Sequence, residues 1–318
     1  MNNILITGAS GVIGFPLLLR FLSLGYDITA TYHTSREYIL SNCPNEFLPQ
    51  LTLVQYDDLL DSSSSYVPFD EIWHFATYGQ PILALNNYSQ TIKLNVTDIS
   101  NLVDLLSPSG HFFYASTSEM YGSSLDSSES TIPTSDPLSK RAIYTESKRL
   151  GEAIINTLLP SRSSILRLCL IYSSFAKFND TRVMFQFIQK AFHNKSIALL
   201  DTGKALRQYC YISDALYILE FIQNLSRSSP NQSSGVWNVS NPQSISIFEL
   251  ANVISQYLEV PLSVPSSDSS TVLDALDRVS VIPERFLNLN PNFVFTPLHS
   301  SMPFVIDEYI KTLSLFNK

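Results

Sequence analysis

Asn3-Ile4-Leu5-Ile6-Thr7-Gly8-Ala9-Ser10-Gly11-Val12-Ile13-Gly14 is the stretch on which the fold turns. Asn3 to Thr7 has the length and apolar character of a short buried strand, and Gly8 ends it. From Gly11 to Leu24 the apolar residues Val12, Ile13, Leu17, Leu18, Phe21 and Leu22 recur at helical spacing, and Gly25 closes the helix. Between strand and helix lies GxxGxxG, with Gly8, Gly11 and Gly14 at its fixed positions. Residues without Cβ permit a tight turn and let a pyrophosphate approach the backbone, where the N–H groups of a helix start face the anion. Placed after a strand and before a helix, the pattern points to a dinucleotide, bound at Gly8, Ser10, Gly11, Val12, Ile13 and Gly14.

Working outward, the alternation continues. Tyr26–Tyr32, Leu51–Tyr56, Glu71–Thr77 and His111–Ser116 read as strands, with Asp57-Asp58 as an acidic loop after the third. Gln90–Leu106 reads as a helix with Ile92, Val96, Ile99, Val103 and Leu106 on one side. Short apolar strands alternating with amphipathic helices indicate α/β architecture: a Rossmann doubly wound parallel sheet covered on both faces. Beyond about residue 160 the pattern changes. A strand at 164–170 and a helix at 183–192 precede shorter mixed segments, and the Ser- and Pro-rich stretches 62–65, 228–234 and 265–271 read as surface loops. The expected division is 1–165 for a dinucleotide-binding domain, joined by at least one later strand, and 166–318 for a smaller C-terminal substrate lobe.

Two further patterns carry chemistry. Tyr144-Thr145-Glu146-Ser147-Lys148 is YxxxK, which puts Tyr144 and Lys148 on one face of a helix. An ammonium near a phenol favours the phenolate, so the spacing predicts a Tyr144 pKa lowered from about 10, suited to taking a proton from a sugar hydroxyl. Ser116-Thr117-Ser118-Glu119-Met120-Tyr121-Gly122 follows the fifth strand, whose carboxyl end is where ligands bind in such sheets. Its hydroxyls and carboxylate can hold a reacting oxygen and move a second proton.

These three patterns, in this order, resemble the extended short-chain dehydrogenase/reductase family that modifies nucleotide sugars. HFAT (74–77), Asn95-Val96-Thr97, LRLCLIY (166–172), RQYCYISDAL (207–216) and GVWNVSNPQSISIFELANVI (235–254) extend the resemblance over nearly the whole chain. STSEMYG and RAIYTESKRLGE are most similar to UDP-glucuronate decarboxylases, with 4,6-dehydratases and 4-epimerases close. The resemblance implies Tyr144 as base, Lys148 as its partner and ribose ligand, and Thr117 as the catalytic hydroxyl. It implies Ser118 and Glu119 as a second proton-handling pair, Asp57 with Asp58 at the adenine, Ala76 beside the cofactor, and Arg182 and Arg207 on the substrate side. It also implies a 4-keto sugar and a homodimer formed through helices of the Rossmann domain; a cytoplasmic location is the expectation from the absence of a membrane span and a signal peptide.

The sequence departs from the family at three places. Tyr32, followed by His33 to Arg36, stands where NAD-preferring members place an acid, so NADP is favoured over NAD, with Arg36 facing a 2′-phosphate. Leu170 stands for a substrate-contacting Asn, and Ser173-Ser174 for Gly-Pro. Thr77 to Pro81 differs from the small-residue loop of the decarboxylases. A 4-epimerase, a 4-ketoreductase and a non-catalytic dinucleotide-binding regulator therefore stand beside decarboxylation and dehydration as alternatives.

Composition narrows the field from the other side. The 318 residues are 45% hydrophobic, enough for a large core, and the net charge of −8 lacks the basic footprint of a nucleic-acid binder. Cys43, Cys169 and Cys210 are too few and too scattered for a disulfide scaffold or a zinc site, and read as free thiols. The five histidines are dispersed; His74 and His111 fall in strands and read as packed, as does Trp73. No metal is expected. No stretch nears the ~18 apolar residues of a membrane span, and the first ten residues lack the basic and apolar regions of a signal peptide.

Overall fold

In the computed structural model, which describes residues 3–61, 66–122, 124, 126–267 and 280–316, the chain divides into two units. The first comprises residues 1–120, 135–168 and 216–239, and the second 121–134, 169–215 and 240–318. The stretch 62–65 and most of 265–271 lie outside the described residues.

The first unit begins with β1 (Asn3–Thr7), α1 (Gly14–Ser23), β2 (Asp27–Tyr32), α2 (Arg36–Asn42), β3 (Leu51–Gln55) and α3 (Tyr56–Asp61). It continues through β4 (Phe69–His74), α4 (Pro81–Asn86), α5 (Tyr88–Ile92), a π turn at Lys93–Thr97, α6 (Asp98–Asp104) and β5 (Leu106–Thr117), which runs into a 3₁₀ turn at Ser118–Tyr121. Past β6 (Asp126–Ser127), which belongs to the second unit, the first unit resumes with α7 (Ala142–Leu158) and β7 (Ser163–Leu168). The second unit takes β8 (Leu170–Tyr172), α8 (Val183–Asn194), β9 (Ile197–Ala198) and β10 (Leu206–Tyr211). Helix α9 (Ile212–Ser228) starts in the second unit and ends in the first, followed by the single turn α10 (Pro230–Ser233) and β11 (Gly235–Val239). Strand β12 (Ser244–Ser246), α11 (Ile247–Tyr257), β13 (Leu262–Ser263), β14 (Ser280–Val281), α12 (Glu284–Leu289) and α13 (Leu298–Phe316) complete the chain.

The first unit is built on a seven-stranded, all-parallel sheet in the order β11-β7-β5-β4-β1-β2-β3. The chain winds outward from β1 in both directions, so the β1/β4 boundary is the point where strand order reverses and a ligand crevice opens at the carboxyl ends. The strands are apolar throughout because helices cover both faces. Leu5, Ile72, Phe112 and Ile165 pack with Ile99, Leu102 and Ile155 of α6 and α7. In the second unit, Met184, Phe185 and Ile188 of α8, Leu250 and Ile254 of α11, and Val305, Ile306 and Tyr309 of α13 form a separate core.

Four local readings need correction. α1 begins at Gly14 rather than Gly11, because residues 8–13 are used by the turn. Asp57-Asp58 is the first turn of α3 and not a loop: the Gln55 side-chain oxygen accepts from the N–H groups of both, at 2.6 and 3.1 Å, and so caps the helix. The expected helix over 90–106 is interrupted by the π turn and stops at Asp104, because Leu106 already begins β5. The 228–234 loop is largely helical, closing α9 and forming α10.

Candidate active site

At the carboxyl ends of β1 and β4, two strands are pinned together by polar groups. The Thr7 hydroxyl lies 2.7 Å from His74 Nδ1, and His74 Nε2 lies 2.8 Å from the Leu94 carbonyl. A carbonyl only accepts, so Nε2 carries the proton and Thr7 donates to Nδ1. Burial, helped by the Lys148 charge, pushes the His74 pKa down to about 3, and the ring is neutral. The Ala76 N–H donates to Thr7 Oγ1 at 3.3 Å. His74, like His111 on Ser164 and Trp73, is a packed core residue, as its strand position predicts.

The glycine turn is fitted into this corner. Gly8 has φ +71°, and a Cβ there would stand 2.6 Å from the Ala76 nitrogen and the Phe75 carbonyl carbon. A Cβ on Gly14 would stand 2.3 Å from the Gly8 oxygen. Both are therefore required by the close approach of α1 and β4 to the turn. Gly11 is different: the only atom its Cβ would meet within 4 Å is the Gly8 oxygen, at 3.1 Å. The protein leaves that side of the turn open. Ile13, at the N-cap of α1, has no side-chain acceptor, and no acid stands in the first turn. An open glycine cradle facing a helix start fits a dinucleotide pyrophosphate.

The residues expected around the rest of the dinucleotide are less uniform. Asp57, half exposed, is paired with Lys93 Nζ at 3.0 Å, which holds its carboxyl below the usual range. Lys93 also reaches Asp98 at 3.1 Å. Asp58 is exposed on α3. Arg36 opens α2, half exposed, 3.1 Å from Glu37. An exposed pair of adjacent residues contributes little and leaves the guanidinium available.

Strand β5 and helix α7 bring the YxxxK pair and the STSE stretch together. Thr117 is the last residue of β5, and Ser118 and Glu119 open the 3₁₀ turn beyond it. Tyr144 and Lys148 lie one turn apart on α7, both buried. The Thr117 hydroxyl hydrogen-bonds the Tyr144 phenol and accepts from the Glu119 N–H at 3.2 Å. Glu119 Oε1 is 2.8 Å from Arg141 Nη1, whereas Oε2 is buried without a hydrogen-bond partner.

The electrostatics reverse one expectation. Burial pushes Tyr144 well above the usual phenol range, Glu119 adds to the rise, and only Thr117 and Arg141 oppose it. Lys148 is not among the groups that lower it. Lys148 Nζ donates to the Ala115 carbonyl at 2.7 Å and lies 4.8 Å from the centre of the Tyr114 ring. Burial pushes this lysine down to about 7, against the pull of Glu152.

Several supporting residues stand in the motifs above without a role assigned by sequence. Glu152, one turn beyond Lys148, accepts from the Ser116 hydroxyl at 2.6 Å and from Arg167 Nε and Nη2 at 3.0 and 2.7 Å. Thus α7 is bolted to β5 and β7 directly beneath the Tyr144–Lys148 face. The signal was present: Arg167 is a lone charge in an apolar strand, and a buried charge requires a partner. Asn95 in the π turn donates to the Ser147 hydroxyl at 2.9 Å, and its carbonyl accepts from the Tyr114 hydroxyl at 2.9 Å.

The expected substrate arginines belong to the second unit. Arg207 sits on β10, its Nη1 2.7 Å from the Leu206 carbonyl. Arg182 is committed to the fold: Nε and Nη2 hold the Asp180 carboxylate at 3.0 to 2.6 Å, and Nη1 holds the Ile171 carbonyl at 2.9 Å. Leu170 heads β8 opposite Tyr209 of β10. The cysteines are free, with Cys43 and Cys210 buried. Among the described residues no cluster of His, Cys, Asp or Glu could hold a metal, and no helix is long and apolar enough to cross a membrane.

Known proteins are similar to this chain in sequence and in fold. UDP-glucuronic acid decarboxylase 1 of Xenopus tropicalis is 28% identical over 263 residues, covering 80% of this chain and 60% of that protein. UDP-glucose 4-epimerase from Thermotoga maritima, solved with UDP-glucose, superposes with a TM-score of 0.76 at 16% identity, covering 98% of this chain and 99% of the other. MoeE5 in complex with UDP-glucuronic acid and NAD gives 0.76 at 17% identity, over 98% of this chain and 100% of the other. The two structures share the fold. The profile of the NAD dependent epimerase/dehydratase family matches residues 4–239, from the first strand of the sheet to its last, and the chain belongs to that family.

Proposed function

We propose that this chain is an NAD(P)-dependent enzyme that modifies a nucleotide-diphosphate sugar through a 4-keto intermediate, most similar in action to a UDP-glucuronic acid decarboxylase. The observation that carries the reading is the cluster Thr117–Tyr144–Glu119, where a buried phenol and an incompletely satisfied carboxylate share one hydroxyl. A 4-epimerase requires one proton-handling group; a second acid beside it supports decarboxylation or dehydration.

Tyr144 takes the proton of the sugar 4-hydroxyl, and Thr117 orients that oxygen. A dinucleotide held at the glycine turn would supply the hydride acceptor for the same carbon. Lys148 holds the ribose from the same face of α7 that carries Tyr144. Glu119, with Ser118 beside it, handles the proton at C5. Gly8, Ser10, Gly11, Val12, Ile13, Gly14 and Ala76 hold the pyrophosphate side of the cofactor, and Asp57 and Asp58 the adenine side. Tyr32 and Arg36 support NADP over NAD. Arg207 supplies the charge for the diphosphate, while the existing partners of Arg182 argue against a direct role for it. Two copies pair through α5 and α7, which leave Tyr88, Ile92, Leu150 and Leu158 exposed.

Incubation with NAD or NADP and a panel of UDP-glucuronic acid, UDP-glucose and UDP-N-acetylglucosamine, read by mass spectrometry, tests the proposal. Loss of carbon dioxide means decarboxylation, loss of water dehydration, and unchanged mass with altered retention epimerisation. No product from any of them would refute it.

A further inference from the structure

The Glu119–Arg141 pair is one-legged. Arg141 Nη1 meets Oε1 at 2.8 Å, and Oε2 is left buried and without a partner. Two buried or half-buried pairs in the same unit are forked: Arg20 meets Glu220 at 2.7 and 3.0 Å, and Arg167 meets Glu152 at 3.0 and 2.7 Å, whereas the exposed Arg36–Glu37 pair, like Glu119–Arg141, has one contact. A fork-to-fork arrangement is the stronger one, and a pair that only braced the fold would gain by adopting it. A buried acceptor without a donor is costly; Glu119 Oε2 is one of several such atoms among the described residues, and the one carboxylate oxygen of an acid among them.

The position of the pair bears on its role. Arg141 immediately precedes α7, and its carbonyl accepts from the N–H of Tyr144 at 3.0 Å. Glu119 is two residues past Thr117, whose hydroxyl bonds Tyr144. One guanidinium therefore ties the segment carrying the carboxylate to the start of the helix carrying the phenol. The Arg141 side chain is 52% exposed, and an ion pair with so exposed a partner adds little stability.

We propose that Arg141 is a positioning residue: by holding Oε1 of Glu119 it leaves Oε2 as the single uncommitted oxygen, the one that handles the proton of the second step. This rests on the role given to Glu119 above.

The test compares wild type, R141Q, R141K, E119Q and the double variant E119Q/R141Q, each as the full chain with NAD(P) and the panel sugar that wild type converts. R141Q is expected to lose on the order of 10²-fold in kcat, the scale of a general acid–base group, with KM and calorimetric dinucleotide affinity unchanged. The cofactor should stay reduced, seen as persistent near-ultraviolet absorbance, because the first step proceeds and the second stalls. R141K, which keeps the charge, should recover most of the loss. The double variant should be no slower than E119Q, since a residue acting through Glu119 has nothing left to position. Wild-type kcat in R141Q, or losses that add in the double variant, would overturn the inference while leaving the proposed function intact. So would a lowered melting temperature and weakened dinucleotide binding in both Arg141 variants without accumulation of reduced cofactor, which is the mark of a brace. Failure of wild type to convert any panel sugar would instead refute the parent reading, and this inference with it.

Discussion

Gly11 and Gly14 belong to one turn, yet a methyl group should do opposite things at the two. At Gly14 the Cβ would stand 2.3 Å from the Gly8 oxygen and 3.0 Å from the Gly8 carbon, both backbone atoms. Ordinary contact begins near 3.4 Å, so α1 must move by about 1 Å to admit it. Gly8 cannot yield easily, being held at φ +71° against Phe75 and Ala76. Overpacking of this kind costs about 1–3 kcal/mol, and a rigid partner puts Gly14→Ala near the upper end. At about 2–4 °C per kcal/mol for a domain of 150–250 residues, the melting temperature should fall by roughly 5–10 °C. At Gly11 the one neighbour is 3.1 Å away and need give only a few tenths of an ångström. The conformational freedom removed from the unfolded chain contributes about 0.4–1 kcal/mol in the other direction. Gly11→Ala should therefore melt with wild type. Its methyl group, and still more the side chain of Gly11→Val, fills the side of the turn left open for the pyrophosphate, and dinucleotide affinity should fall at least about tenfold. Circular-dichroism melting and calorimetric titration with NAD and NADP read both effects. Wild-type affinity in Gly11→Val would mean that the cradle is not the cofactor's; wild-type melting in Gly14→Ala would mean that the close approach is not real.

Three further outcomes are expected. Tyr144→Phe should lose on the order of 10²-fold or more in single-turnover rate while still binding dinucleotide, and near-normal turnover would show that another group is the base. Arg207→Ala should weaken nucleotide-sugar binding by about 2–5 kcal/mol with little change in melting temperature, and the reverse pattern would make it a structural residue. His74 and His111 are each pushed down to about 3 by burial, so they stay neutral in the fold but take up protons once unfolded, near pH 6.5. Stability is therefore lost as pH falls below 6.5, by about 2 kcal/mol for the two together between pH 6.5 and 5.5, and coincident urea transitions at the two pH values would contradict it.

How far the sequence could be read depended on where each residue's partner lies. β1, the glycine turn and α1 were legible because apolar spacing and Cβ-free positions act over a few residues. The same holds for Tyr144 and Lys148, whose shared face follows from helical spacing. Their electrostatics were not legible. Spacing brings an ammonium near a phenol, but it does not say that the Ala115 carbonyl, 33 positions earlier, takes the ammonium, or that burial raises the phenol. Asp57-Asp58 looked like a loop because its cap comes from Gln55, a residue type weakly associated with helix starts. The partner of Arg182, by contrast, is local: Asp180 stands two positions before it.

The network beneath the motif carries this one step further. Arg167 is buried in β7, and it reaches Glu152 on the turn of α7 that follows Lys148. Removing one member leaves an uncompensated buried charge, which is strongly destabilising, whereas the pair as a whole is worth little to stability against apolar replacements. Such a pair earns its place through geometry: Glu152 also accepts from Ser116, the residue before Thr117. The carboxylate therefore sets the height of α7 against β5, and with it the distance between the Thr117 hydroxyl and the Tyr144 phenol. Glu152→Gln keeps the shape but halves the acceptors for Arg167, so it should slow turnover without altering which residues touch substrate. A Glu152→Gln enzyme with the wild-type rate would show that the Thr117–Tyr144 bond needs no such support.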